Sequence, residues 1–193
     1  MGGLCSVLVA AERPELVSHL VLVGPALPRP PRAPFAPRVA ALFILYAVPG
    51  LGELFLSRRL AKRGPERVLR DTLELCGVDP SALDPAIWDE AVSLARERAG
   101  YAWSSRAFLG AARSMLRLQA RRARVEDALH RVRARTLLTQ GSRDRLVPVA
   151  VSAHAARLRP DFRLEVMEGA GHVPQLQVPE RWLALVKGWI DAG

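Results

Sequence analysis

The period of the apolar positions changes several times along the chain. Leu4 to Ala11 is a compact apolar run compatible with helix, and Glu12-Arg13-Pro14 stops it, because proline disfavours helix in the residue before it. Val17 to Val23 is short and rich in β-branched residues, and Gly24-Pro25 closes it, as expected of a buried parallel strand. Its segment Leu20-Val21-Leu22-Val23 has no polar alternation, so burial is expected on both faces. Pro28 to Pro37 holds five prolines and predicts an irregular connection. From Ala36 to about Leu129 the pattern is helical, broken at Pro49-Gly50, Gly64-Pro65, Gly77 to Pro80 and Asp84-Pro85. Thr136 to Gln140 predicts a second strand, Val149 to Leu158 a helix and Arg163 to Met167 a third strand. Pro179 to Ile190 predicts a closing amphipathic helix with Trp182, Leu185, Val186 and Trp189 on one face. Strand, long helical insert, strand, helix, strand, helix is an α/β order with parallel pairing and right-handed crossovers.

Composition narrows the class. With 193 residues, half of them apolar, the chain has enough material for a packed domain. The net charge of +9 invites a nucleic-acid reading, but Lys62 and Lys187 are the only lysines and the arginines are scattered, with no interleaved aromatic platforms. Abundant Arg, Ala, Pro and Gly instead suggest a GC-rich, bacterial genome. Cys5 and Cys76 lie far apart and suggest neither a disulfide framework nor a metal site, which fits a reducing cytoplasm. The N-terminus lacks the pattern of a secretory signal. The most apolar window, Val39 to Leu56, is interrupted by Pro49, Gly50, Gly52 and Glu53, so no stable membrane insertion is expected.

Two loops carry candidate chemistry. Gly141-Ser142-Arg143-Asp144-Arg145-Leu146-Val147-Pro148 follows the second strand, and Gly169-Ala170-Gly171-His172-Val173-Pro174 follows the third. An acid and a histidine on loops at the C-terminal edge of a parallel sheet can converge. The acid then fixes the imidazole tautomer, and the histidine takes a nucleophile's proton. The bland alternatives are that Asp144 caps its own loop and that His172 is satisfied by backbone. His19, His130 and His154 read as surface or packing residues.

The nucleophile is the difficulty. Cys5 and Ser6 fall inside the first helix, and Ser142, two residues from Asp144, is expected to face that acid instead of His172. Met1-Gly2-Gly3-Leu4-Cys5-Ser6 also matches the M-G-x-x-x-[ST] acylation pattern, with Cys5 placed for palmitoylation, which offers a lipid-anchored alternative. That pattern fixes few positions.

Three motifs occur in order. Met1-Gly2-Gly3 matches the tail of G-x-S-x-G-G. Residues 11–25, Ala-Glu-Arg-Pro-Glu-Leu-Val-Ser-His-Leu-Val-Leu-Val-Gly-Pro, form the second. The third pairs G-x-x-D-x-x-V-P at 141–148 with G-x-G-H at 169–172, whose histidine lies 28 residues beyond the acid. Over nearly its whole length the chain thus resembles the C-terminal portion of an α/β-hydrolase. The resemblance implies three parallel strands with flanking helices and a helical cap insert, residues 1–27 and 130–193 forming a partial core and 28–129 the cap. It implies that Asp144 orients His172, and that the nucleophilic serine lies just ahead of Met1, outside this sequence.

The resemblance also gives Met1 a role: its backbone N–H would serve the oxyanion hole, an amide that a free chain terminus replaces with an ammonium. The implied activity is hydrolysis of an ester or related bond in a small, mostly apolar substrate, through a covalent intermediate and with neither cofactor nor metal. Related enzymes cleave C–C bonds, epoxides or haloalkanes, or act as cofactor-free peroxidases, and the residues do not choose among these. Without its nucleophile the 193-residue chain is expected to be inactive. The alternative is a non-catalytic binding module. Self-association through an exposed edge of the first strand is a further expectation. Aromatic and aliphatic residues of the insert, such as Phe43, Ile44, Leu45, Tyr46, Leu54, Phe55, Trp88, Trp103 and Phe108, are expected mostly to form its own core, with the remainder lining a pocket.

Overall fold

In a computed structural model of the chain, residues 1–30 and 36–192 are described. Helix α1 (Gly2–Glu12) buries Leu4, Val7, Ala10 and Ala11 and stops at Arg13, ahead of Pro14. After a single 3-10 turn at Pro14–Leu16, strand β1 runs His19–Val23. The strand expected from Val17 therefore starts two residues late. The N–H of Val17 is spent on Pro14 O, closing the turn, and pairing begins only where His19 meets Arg135.

Helices α2 (Pro37–Ala47), α3 (Leu51–Leu75), α4 (Pro85–Gly100) and α5 (Ser104–Ala120) fall within the stretch 28–129 expected as the insert. They break where proline and glycine required. Gly64, at φ 72°, interrupts α3 just before Pro65, which can neither donate to the helix ladder nor let the preceding residue stay helical. Asp79 and Asp84 cap the turns that follow: the Asp79 carboxylate accepts from Ser81 N, and the Asp84 carboxylate accepts from Ala86 N. The middle of the proline-rich stretch expected at Pro28 to Pro37 lies outside the described residues.

Helix α6 (Arg122–Arg131) leads into β2 (Arg135–Gly141), followed by α7 (Val149–Leu158), β3 (Arg163–Met167), a short α8 (Pro174–Gln177) and α9 (Pro179–Asp191). The three strands are parallel in the order β1-β2-β3, with Leu22 opposite Leu138 and Leu138 opposite Leu164. Central β2 is buried from Thr136 to Gly141. Its alternate side chains feed two layers, as the period of a strand dictates. Leu138 joins Leu20, Leu22, Val7, Leu129 and Val151 on the side of α1, α6 and α7. Leu137 packs instead with Val186 and Trp189 of α9. Each such leucine contributes about 1.5–3 kcal/mol on burial.

Although α6 lies within residues 28–129, it packs its buried Val125, Ala128 and Leu129 toward α1 and the sheet. On β1 only Leu20 and Leu22 are buried. Val21 and Val23 are half-buried, so the two-sided burial expected of this strand is found on one face among the described residues. All three strands end at one edge of the sheet, and the chain leaves that edge through Gly24, Gly141 and Met167.

Candidate active site

The acid and the histidine stand on the loops leaving β2 and β3. Gly141 ends β2 where its backbone touches the neighbouring loop, and a Cβ there would run into the carbonyl oxygens of Gly171 and Ala170. Only glycine lets the two loops approach this closely. Across the gap Ser142 N donates to Met167 O at 3.0 Å and Arg143 N to Ala170 O at 2.8 Å, so the loops are stitched to one another. A third segment joins them from the end of α3. His172 N donates to Cys76 O at 2.8 Å, and a Cβ on Gly171 would come within 2.6 Å of Cys76 O and Gly77 O.

The Asp144 side chain is fully buried and receives four donors. Leu146 N and Val147 N, both at 2.8 Å, occupy Oδ1, while Gln140 Nε2 at 2.6 Å and His172 Nδ1 at 2.7 Å share Oδ2. The loop thus does both things that an acid in this position can do: one oxygen caps the turn and the other holds the histidine. The carboxylate can only accept from Nδ1, which places a ring proton there, so that in the neutral imidazole Nε2 is the nitrogen carrying the lone pair. His172 is 21% exposed, so its ring is sheltered without being sealed off.

Gln140 was not among the residues singled out from sequence. It is fully buried, its Oε1 accepts from the buried Ser152 hydroxyl at 2.7 Å, and its Nε2 also reaches Val147 O at 3.1 Å. With its oxygen occupied by Ser152, only the NH2 group is left to face Asp144. Gly24 also escaped notice as a site residue. At φ 48° it turns the chain off β1 directly against the histidine ring.

Above this pair lies a cavity of about 280 Å3 between the sheet edge and the insert. Its floor includes His172, Gly24, Met1 and Val147, and Leu42, Phe43, Tyr46 and Phe108 are among its walls. Tyr46 is stacked edge-on against Phe108 at 5.4 Å. Arg59 and Thr72 of α3 are polar exceptions in its lining. Phe43, Tyr46 and Phe108, expected in the insert's core or pocket, therefore line the pocket, whereas Ile44 and Trp103 are exposed. Cys76 also touches the cavity. Burial, and secondarily the Asp144 carboxylate, push its thiol up to about 11, so at neutral pH it is a poor nucleophile.

The other side chains weighed as nucleophiles lie elsewhere. Ser6 sits in α1 with its hydroxyl donating to Gly2 O, and Cys5 is exposed on the same helix. Ser142 does not face Asp144, as its sequence position suggested. Its hydroxyl donates to Glu168 at 3.0 Å and accepts from Gly169 N at 2.9 Å, because the tight exit from Gly141 directs it toward the β3 loop. The remaining histidines are remote from the cavity. His19 packs edge-on against Trp189, His130 is exposed, and His154 lies beside Arg122 and Glu126. Among the described residues, no group of three or more His, Cys, Asp or Glu side chains is placed to hold a metal ion.

A family model described as alpha/beta hydrolase fold matches residues 1–179. No curated protein matches the chain. Solved structures similar in fold include a serine hydrolase from the polyaromatic-hydrocarbon-degrading bacterium Cycloclasticus zankles, with TM-score 0.63 and 18% identity over 99% of this chain. A 2-hydroxy-6-oxo-6-phenylhexa-2,4-dienoate hydrolase from Rhodococcus sp. strain RHA1 gives TM-score 0.64 and 24% identity over 99%. A thermophilic esterase from Thermogutta terrifontis gives 0.59 and 20% over 99%. The chain spans 61%, 60% and 62% of those three chains respectively.

Proposed function

The chain belongs to the α/β-hydrolase fold family, and from that premise we propose that it carries the acid and base of a hydrolase that cleaves an ester or related bond in a small, mostly apolar substrate. The observation behind this is the 2.7 Å contact between His172 Nδ1 and the buried Asp144 Oδ2, on the floor of an apolar cavity bounded by the helical insert as a cap. The nucleophile in this proposal is a serine presented next to Met1, which lines the same cavity as His172.

The chemistry then follows from the geometry. The serine oxygen attacks the carbonyl carbon while its proton passes to His172 Nε2. Asp144 holds the ring in place through Nδ1 and balances the imidazolium charge. The tetrahedral oxyanion is held by backbone N–H groups, Met1's among them once its nitrogen is an amide. As the tetrahedral state collapses, Nε2 returns the proton to the departing alkoxide, and a water molecule attacks the acyl group by the same route. Three other hydroxyls and thiols at the cavity compete poorly for this role: the Cys76 thiol is pushed up to about 11, burial likewise pushes the Tyr46 hydroxyl up, and the Thr72 hydroxyl donates to Val68 O at 2.7 Å.

The test compares the 193-residue chain with a protein extended by the codons that precede Met1 in its gene. On p-nitrophenyl butyrate the extended protein should turn over, and His172→Ala should lower kcat by about 10³-fold or more. The short chain should remain at background. Robust turnover by the short chain, lost on Cys5→Ala, Ser6→Ala or Cys76→Ala, would overturn the assignment.

A further inference from the structure

The corner where α2 meets α3 exposes an apolar surface that the insert does not use. Ile44 is 67% exposed, Val48 44%, Leu51 48% and Leu54 45%. These four side chains fall within eleven consecutive positions, at a junction where the two helices bend by 115°. Charge is distributed as asymmetrically as apolarity. Between residues 36 and 65 the one acid is Glu53, against Arg38, Arg58, Arg59, Lys62 and Arg63. Glu53 is already matched by a bidentate contact from Arg113 at 2.8 and 2.9 Å. Farther along α3, Asp71 is shared among Arg59, Arg63 and Arg67, so this side of the insert keeps a surplus of positive charge.

Both features share one helical face. Leu51, Leu54, Arg58 and Lys62 follow one another at spacings of three and four residues, which places them in line on α3, and Phe55 stands beside them one turn after Leu51. They also line a single open groove of about 520 Å3. An aliphatic tip backed by arginine and lysine on the same face has the chemistry of a helix that rests in a membrane interface. Its apolar side chains enter the acyl boundary and its cations meet anionic headgroups.

We propose that the α2–α3 corner docks the protein onto an anionic lipid surface. This is a peripheral contact: no single helix among the described residues is long and apolar enough to cross a membrane. Docking does not depend on the hydrolase reading, although it would bring that cavity close to the bilayer. Leu42, Phe43 and Tyr46 of α2 and Arg59 of α3 line the space above His172, so the docked helices are also cavity walls.

The test is co-sedimentation of the full chain with vesicles of equimolar phosphatidylglycerol and phosphatidylcholine, and with phosphatidylcholine alone. Binding should be at least about ten-fold stronger to the anionic vesicles and should weaken with salt. A protein of net charge +9 can adhere to anionic lipid without a docking site, so two variants carry the discrimination. The triple change Ile44→Ser, Leu51→Ser, Leu54→Ser leaves the charge untouched and should reduce binding about ten-fold. Arg58→Glu with Lys62→Glu should abolish binding, whereas the same charge change at exposed Arg157 and Arg181, on α7 and α9, should have a much smaller effect. Thermal melts establish that each variant is folded, and Ile44→Ser alone serves if the triple variant is not.

Equal binding by the apolar variant, equal loss at the remote pair, or no binding to anionic vesicles would each overturn the proposal. A concentration-dependent dimer abolished by the apolar changes, with no vesicle binding, would assign the corner to a second copy of the chain instead.

Discussion

A Cβ built on Gly24 would stand 2.8 Å from Nδ1 of His172 and 3.2 Å from Oδ2 of Asp144. The turn that ends β1 therefore forms one wall of the slot in which the histidine and the acid meet. Gly24→Ala adds a methyl group at a backbone with φ 48°, where an L-residue is strained, and presses it against the ring. Destabilisation of about 2 kcal/mol is expected, with the His172 ring signals shifted in the NMR spectrum. Gly110→Ala is the control: nothing lies within 4 Å of its Cβ, it sits inside α5, and it should stabilise by about 0.5–1 kcal/mol. A neutral Gly24→Ala would mean that the slot is not tightly packed.

Gln140 and His172 donate to the same oxygen of Asp144, at 2.6 and 2.7 Å. Replacing Gln140 with leucine leaves that oxygen one donor short and strands the buried Ser152 hydroxyl, for a loss of about 1–3 kcal/mol. Gln140→Glu instead sets two carboxyl groups against each other in a buried site, which raises the pKa of the pair in the folded state. A folded-state pKa above the unfolded value gives stability at low pH that is lost as pH rises through the folded value. Denaturant melts of Gln140→Glu should therefore show a deficit at neutral pH that shrinks on acidification. A deficit independent of pH would indicate that the second carboxylate has turned away from Asp144.

The two thiols should behave very differently. Cys5 is exposed on α1, while Cys76 is buried with its thiol pushed up to about 11, by desolvation first and by Asp144 second. At pH 8 a disulfide reagent should modify one thiol rapidly and reach the second only on unfolding. Two fast thiols in the folded protein would show that the end of α3 does not stay packed over the histidine loop.

Arg113 of α5 clamps the α2–α3 corner, donating to Tyr46 O at 3.0 Å as well as to Glu53. Hydrogen bonds from Arg113 hold the Glu53 carboxyl down at about 2, against an ordinary 4.5. Its folded pKa is depressed, so its contribution is fully present above pH 4.5 and is lost as pH falls toward 2. Between those values the acid-induced loss of stability should be shallower in Glu53→Gln, and a carboxyl NMR titration should place Glu53 near 2. An ordinary Glu53 titration would show that the clamp is absent in solution.

The parts of this site that were legible in the sequence are those whose chemistry is local. Gly141 and Asp144 sit three residues apart, and Gly171 precedes His172, so turn and side chain can be read together. The breaks at Gly64-Pro65 and Asp84-Pro85 were readable for the same reason, since a proline restricts its own neighbourhood. Residues that act through distant partners were not legible. Gly24 matters because His172 lies against it, Gln140 because Ser152 fixes its orientation from α7, and Cys76 because its carbonyl receives the His172 N–H. The late start of β1 has a similar cause, because the strand begins where β2 offers a partner. The sole readable hint for Gln140 was an amide inside an otherwise apolar and hydroxyl-bearing strand, which demands a buried partner.

The central claim is that His172 and Asp144 serve a serine presented beside Met1, and covalent labelling tests it most directly. A fluorophosphonate probe is applied to the protein extended upstream of Met1, and the adduct is located by peptide mass spectrometry. The expected adduct is on the serine immediately preceding Met1, greatly slowed by His172→Ala and absent from the 193-residue chain. An adduct on Ser6 or Ser142, or labelling of the extended protein that is indifferent to His172→Ala, would contradict it.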